Sequence, residues 1–344
     1  MYRGCYTALI TPFDVSGSVD IPGLKQLVEF QISQGVSGIL AVGTTGESPT
    51  LSWEEHQRVI QTIHEIAESR TKVIAGTGSN NTRESLAATK FAARIGIDSI
   101  LLIDPYYNGP SSLEIRREYL EPIAREFPSI SIMPYVIPAR TGTQLLPQDL
   151  ALANSSFSNI DSVKEATGNI DNARTIRQLC GPGFSIIAGD DHMALELMLD
   201  RKISAQGVIS VASNIAPAAI RELVEAALAG NDDKAHKMGD QLSPLFDLVT
   251  VLTSEESGHG PVQVKARNPL ATKTLMRIMG FPAGPTRQPI GKLTRRSIDI
   301  VLRKARQVFE ESKILKPIED FFDVDLSDRL YSEKHISGLF YESY

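Results

Sequence analysis

The chain has 344 residues, 42% of them hydrophobic and 22% charged, with a formal net charge of -6, enough for one large or two small domains around a sizeable core. That balance offers no basic footprint for nucleic acid, and no block of like charge marks a membrane-binding tail. Apolar runs such as SILLI before Asp104 fall far short of the roughly 20 residues needed to cross a bilayer, and MYRGCYTALITPF lacks the features of a signal peptide, so a cytoplasmic protein is expected.

In chain order, short β-branched runs recur at YTALIT (6–11), GILAV (38–42), KVIAGT (72–77), DSILLI (98–103), SISIMPY (129–135), IDSVKE (160–165), FSIIAG (184–189) and QGVISV (206–211). Helix-period segments such as WEEHQRVIQTIHEIAESR and TRESLAATKFAARIG lie between them, so strand starts are spaced by about 22 to 34 residues, the size of a βα unit. Strict alternation implies a parallel sheet. Eight units predict an α/β fold of the (β/α)8 TIM-barrel type, with an open doubly wound sheet as the alternative.

The placement of unusual residues separates the two. A barrel assembles its site from the C-terminal ends of many strands, an open sheet near one switch point. Here GTTGES (43–48), GSNN (78–81), DPYYNG (104–109), Tyr135 with IPARTG, Lys164 and GDD (189–191) follow six different strands, as a barrel requires. Ser52 and Glu55 form a capping box, and Asn81 with Glu84 is expected to cap the next helix in the same way. The barrel is placed at residues 1–225 and a C-terminal helical extension at 226–310, within a stretch from 212 that reads as helical and is interrupted at GFPAGPTRQP (280–289). An acidic and aromatic tail, 311–344, carries Phe321, Phe322, Tyr331, Phe340, Tyr341 and Tyr344, too aromatic for a disordered tail and expected to dock on the body or on a neighbouring subunit.

A lysine ending a barrel strand points into the barrel mouth, where apolar walls disfavour its charge and favour the neutral amine that nucleophilic attack needs. The competing reading of Lys164 is an ordinary charge paired with Glu165 or another carboxylate. Strand alternation turns Glu165 to the opposite face, which makes it a structural partner. Tyr135 ends the preceding strand, within reach to pass protons, or is simply a core aromatic. Arg140 is either a two-point carboxylate clamp or a solvated loop charge. Thr44 and Thr45 offer hydroxyls to a small anion in a glycine-rich loop that is not a dinucleotide fingerprint. The six histidines show no HxH or HExxH spacing, so no metal is expected, and Asp190 and Asp191 read as a turn cap rather than a cation site. Cys5 and Cys180, far apart in sequence, fit a reducing compartment.

Taken together, TALITPF, GTTGES, GTGSNNT, PYYNGPS, YVIPARTG, VKEATGN, AGDD and GVISVASN, in this order over about residues 3 to 250, resemble the dihydrodipicolinate synthase / N-acetylneuraminate lyase family. The resemblance implies a lyase in which Lys164 forms a Schiff base with pyruvate and the resulting enamine attacks the aldehyde of aspartate semialdehyde, with no cofactor. It implies that Tyr135 and Thr44 relay protons, with Tyr107 completing the relay from an adjacent subunit. Thr45 would bind the pyruvate carboxylate and Arg140 that of the semialdehyde, while Gly189 and the backbone around Ile209 shape the pocket. Arg140 and GTTGE match the synthase branch; the sialic-acid lyases lack an arginine there. A homo-oligomer, dimer or tetramer, is implied, and also a lysine effector held by Ser48, Trp53, His56, Asn80, Glu84 and Tyr106.

The chain departs from the family pattern where YVIP stands for YNVP, where Pro49 follows GTTGES, and where SEESGHGPVQVKARNPLATKTLMRIMG replaces the familiar NPIP segment. It also runs about 50 residues past the usual end. These departures leave open a sugar-derived 2-keto acid substrate of the same family. A catalytically silent barrel used as a binding module has no need for Lys164, Tyr135, Thr44 and Arg140 together.

Overall fold

Runs of four to six mostly buried residues, each ended by glycine or a polar turn, have the lengths of buried parallel strands. In the computed structural model, which describes residues 2–344, they close on one another in sequence order. The strands are β1 (Gly4–Ala8), β2 (Gly38–Ala41), β3 (Lys72–Gly76), β4 (Ser99–Ile103), β5 (Ser131–Val136), β6 (Ser162–Glu165), β7 (Ser185–Ala188) and β8 (Gly207–Ser210). β8 pairs back onto β1, with Tyr6 opposite Ile209, so the sheet has no free edge. The open-sheet alternative is thereby excluded.

Two apolar layers follow from the two faces of each strand. Tyr6, Leu40, Ile74, Leu101, Met133 and Ile187 point inward and fill the barrel. Their neighbours, such as Ile39, Ile100, Ile132 and Ile186, point outward and pack under the surrounding helices. Because alternation sets the face, Tyr135 and Lys164, which are register partners on β5 and β6, share the interior face, while Val163 and Glu165 share the other.

The helix Trp53–Ala67 starts with the expected box: Ser52 accepts from Glu55 N, and Glu55 accepts from Ser52 N. The next helix, Thr82–Arg94, differs from expectation. Asn81 accepts from Arg83 N, but Glu84 reaches Ser79 Oγ at 2.6 Å, and that hydroxyl in turn takes the Asn81 N–H at 3.2 Å. The box is relayed through Ser79.

The stretch after β8 is not uniformly helical. The helices Pro217–Leu228, Asp232–Phe246, Leu270–Met279 and Arg295–Glu311 are present, the first running past the boundary expected at residue 225. Between the second and third stands an antiparallel hairpin of β9 (Thr250–Ser257) and β10 (Gly260–Arg267). Its cause is local: TVLTSEES and GPVQVKAR alternate with period two around a Gly-His-Gly turn. The paired Val251 and Ala266 are buried, while Leu252, Lys265 and Arg267 face out.

The tail docks on its own chain. Phe322 packs 5.1 Å from the ring of Phe30 and 4.6 Å from that of Phe281, and Leu326 and Leu330 are buried. At its end β12 (Phe340–Tyr341) pairs in parallel with β11 (Leu293–Thr294). Among the described residues no helix is long and apolar enough to cross a membrane.

Candidate active site

Lys164 stands at the C-terminal mouth of the barrel in a cleft of about 260 Å³, together with Tyr135, Thr44, Thr45, Arg140 and Gly189. It is only 5% exposed, and its amine lies 4.1 Å from the centre of the Tyr135 ring. Burial pulls this amine from its ordinary value near 10.5 down to about 7; the charge of Asp191 opposes the fall, and that of Arg140 adds to it. Half the amines are then neutral at pH 7, against roughly one in a few thousand for a free lysine. Gly189 makes room for it, since a Cβ there would sit 3.0 Å from Lys164 Cε and 2.9 Å from Ala166 Cβ.

Tyr135 is buried, which pushes its hydroxyl up to about 12, against the opposing influence of the Arg140 charge and a hydrogen bond with Thr44. It therefore holds its proton at neutral pH and can pass it along a Tyr135–Thr44 pair beside the amine. Thr45 is buried, its hydroxyl accepting from Asn268 Nδ2 at 3.0 Å. Arg140 lies half-buried in the short helix Pro138–Thr141 and donates to the Asn268 carbonyl at 3.1 Å. The Ile209 side chain fills the barrel interior, and two residues on, Val211 lines the cleft.

Among the described residues no carboxylate is bonded to the amine; Asp191 and Asp190 reach it only through space. Glu165 lies on the opposite strand face and accepts from Thr167 N and Asn172 Nδ2, each at 2.8 Å. Asp190 caps the helix Asp191–Leu199 by accepting from His192 N, and Asp191 accepts from Val211 N and Ala212 N at 3.0 and 2.9 Å. Among the described residues no cluster of His, Cys, Asp and Glu could hold a metal.

Two sets of residues escaped sequence reasoning. The first is a fully buried ion pair between Lys273 Nζ and Glu47 at 2.6 Å, with Thr11 O accepting from the same amine at 2.7 Å and the Phe13 ring 4.2 Å away. Glu47, held at a left-handed φ of 56°, also takes Arg287 N at 2.8 Å, so it pins the loop that carries Thr44 and Thr45 to the C-terminal segment. Lys273, set among largely apolar residues in the helix Leu270–Met279, was the available signal. The second set is Thr250, Lys265, Arg267 and Asn268, which the hairpin brings to the cleft; its period-two alternation could have revealed them.

Tyr107 is not brought to Lys164 within one chain: it is 91% exposed, at a φ of 77°. Ser48 and Tyr106 line a second, smaller cleft of about 50 Å³ whose wall includes Thr44 and Tyr135. Ser48 Oγ lies 3.0 Å from His56 Nε2, and the Trp53 ring lies 4.9 Å from that of His56. Burial lowers His56 to about 4, so it is neutral. Asn80 is exposed, and Glu84 is engaged by Ser79.

A model of the dihydrodipicolinate synthetase family matches residues 1–307. The 4-hydroxy-tetrahydrodipicolinate synthase of Syntrophus aciditrophicus is 40% identical over 297 residues, which span 86% of this chain and 95% of that protein. The solved 4-hydroxy-tetrahydrodipicolinate synthase of Methylacidiphilum fumariolicum SolV superposes with a TM-score of 0.83 at 34% identity, covering 94% of this chain and all (100%) of that one. A DHDPS from Cyanidioschyzon merolae with lysine bound superposes with a TM-score of 0.82 at 31% identity, covering 90% and 98%.

Proposed function

The chain belongs to the dihydrodipicolinate synthetase family, and from that premise we infer the task of each residue in the cleft. It is a lyase of lysine biosynthesis that condenses pyruvate with aspartate semialdehyde. The observation that carries the assignment of roles is the buried Lys164 amine, held near 7 beside a protonated Tyr135.

The neutral amine adds to C2 of pyruvate. Tyr135, with Thr44 behind it, supplies a proton to the departing hydroxyl, so that water leaves and an iminium forms on Lys164. Loss of a methyl proton gives the enamine, whose carbon forms the new bond to the aldehyde carbon of the semialdehyde. The semialdehyde's own amine then attacks C2, closing the ring and returning Lys164 as a free amine. Thr45 holds the pyruvate carboxylate and Arg140 the semialdehyde carboxylate, the guanidinium fork matching two carboxylate oxygens. Gly189 keeps the space in which the adduct turns.

The exposed Tyr107 suits a group offered to a second copy, and we assign it the last position in the relay across a subunit contact of a homo-oligomer. Ser48, Trp53, His56, Asn80, Glu84 and Tyr106 form the site for a lysine effector: an aromatic wall and a carboxylate suit an ammonium, and the shared wall at Thr44 and Tyr135 gives the effector a route to the relay. Cys5 and Cys180 are free thiols, which suits the reducing cytoplasm. A coupled assay tests the reading: turnover of pyruvate with aspartate semialdehyde, reduced by added lysine, is expected. Turnover only with a sugar-derived 2-keto acid would overturn the substrate assignment, and turnover indifferent to lysine the effector site.

A further inference from the structure

The β9–β10 hairpin delivers two cations to the rim of the Lys164 cleft for which the reaction as described has no use. Lys265 and Arg267 both line the cleft beside Arg140. Alternation puts them there: Ala266 is buried against the body, so its two neighbours must face the opening.

The end of the hairpin is tied to the Arg140 loop by two crossed hydrogen bonds. Arg267 Nη1 donates to the carbonyl of Ala139 at 3.2 Å, and Arg140 Nη2 donates to the carbonyl of Asn268 at 3.1 Å. Each arginine thus bonds the residue adjacent to the other, which holds two guanidiniums side by side. The Arg267 charge works against that of Arg140, as neighbouring like charges must. Neither donates to a carboxylate among the described residues; both donate to backbone carbonyls, leaving most of their five N–H groups unspent. Two adjacent, unneutralised guanidiniums over a cleft gain most from an anion placed between them. The Asn268 side chain donates to Thr45 Oγ1 at 3.0 Å, so this paired rim adjoins, on the exposed side, the buried threonine assigned to pyruvate.

We propose that Arg267 is a specificity-determining residue which, paired with Arg140, grips the carboxylate of the aldehyde substrate, with Lys265 strengthening the attraction at the rim. This rests on the condensation reaction proposed above. A carboxylate has two oxygens and about four acceptor sites, enough for one guanidinium on each side. The pairing would select aldehydes that carry an anionic group and would act on the second substrate only, because pyruvate is bound deeper, at Lys164 and Thr45.

The test is steady-state kinetics of Arg267→Gln and Arg267→Lys, alongside borohydride trapping with pyruvate and a melting curve for each variant. Arg267→Gln is expected to raise KM for aspartate semialdehyde about tenfold, the equivalent of one charged hydrogen bond at a partly exposed site. KM for pyruvate and the trapping rate should stay within about twofold, and Arg267→Lys should fall between the two. A semialdehyde KM unchanged in Arg267→Gln would overturn the inference and leave Arg267 as a tether of the hairpin. Equal losses toward both substrates, with a lowered melting temperature, would do the same. Wild-type protein that traps pyruvate yet never turns over the semialdehyde would instead remove the underlying reaction, and the inference with it.

Discussion

Two lysines are buried in this chain, and they are put to opposite use. Lys273 lies wholly inside, bonded to the Glu47 carboxylate and the Thr11 carbonyl and covered by the Phe13 ring. Lys164 lies at the barrel mouth with the Tyr135 ring against its amine and the charges of Asp191 and Asp190 acting through space. Burial lowers both amines, but at Lys273 the Glu47 carboxylate pulls back upward through charge and a direct hydrogen bond. Burial alone therefore does not make a nucleophile. A bonded carboxylate keeps a buried amine as a fixed cation and a structural clamp; withholding that partner releases a neutral amine able to attack.

The largest expected effect comes from deleting the unpaired amine. Lys164→Ala should lower kcat by at least about a thousandfold and abolish borohydride trapping, because no other group supplies the covalent step. Lys164→Met should leave the fold intact and make it more stable at pH 7. The sign follows from linkage: with its folded value below its unfolded one, Lys164 penalises folding fully below pH about 7, and the penalty is relieved as pH rises toward about 10.5. Denaturant unfolding of the two proteins between pH 6 and 10 should therefore show a stability gap that narrows with pH. A gap of constant size would mean that the amine is not held neutral.

Removing the paired amine should do the reverse. Lys273→Met leaves Glu47 buried without its cation and should destabilise the protein by about 3–5 kcal/mol. The double variant Lys273→Met with Glu47→Gln should recover part of that loss, since no buried charge is then left over. Pyruvate should still be trapped on Lys164 in both, measured near 20 °C where they remain folded. Loss of trapping without loss of stability would place Lys273 in the chemistry and break the comparison.

A smaller effect is expected at the relay. Tyr135→Phe should lower kcat by about a hundredfold while the adduct still forms, more slowly, because the amine is untouched. Thr44→Val should act in the same direction and less strongly, and in combination with Tyr135→Phe should add little, as members of one relay do.

Much of this site could be read from the sequence, and the reasons are local. Strand-forming runs, the turn residues that end them and the parity of one strand place Lys164 and Tyr135 on one face and Glu165 on the other without any long-range information. The buried pair was invisible because Lys273 and Glu47 stand 226 positions apart, joined only once the C-terminal segment folds over the barrel. The hairpin was obscured by the helices on either side of it, although its alternation was present. Glu84 went to Ser79 and not to the Asn81 N–H, a choice between two nearby partners that spacing does not settle. Tyr107 is left exposed by its own chain, so the relay position proposed for it requires a second copy that one sequence does not display.

The central claim is that Lys164, and not the better-bonded Lys273, is the amine that meets pyruvate, and that it does so because its charge is suppressed. Borohydride trapping with pyruvate across pH 5 to 9, followed by peptide mass mapping, tests this directly. An adduct is expected on Lys164, and its rate of formation, once corrected for the reductant's own pH dependence, should rise to half its maximum near pH 7 and level off above it. An adduct on another lysine, or one on Lys164 whose rate climbs without a plateau toward pH 9 as for an ordinary amine, would contradict it.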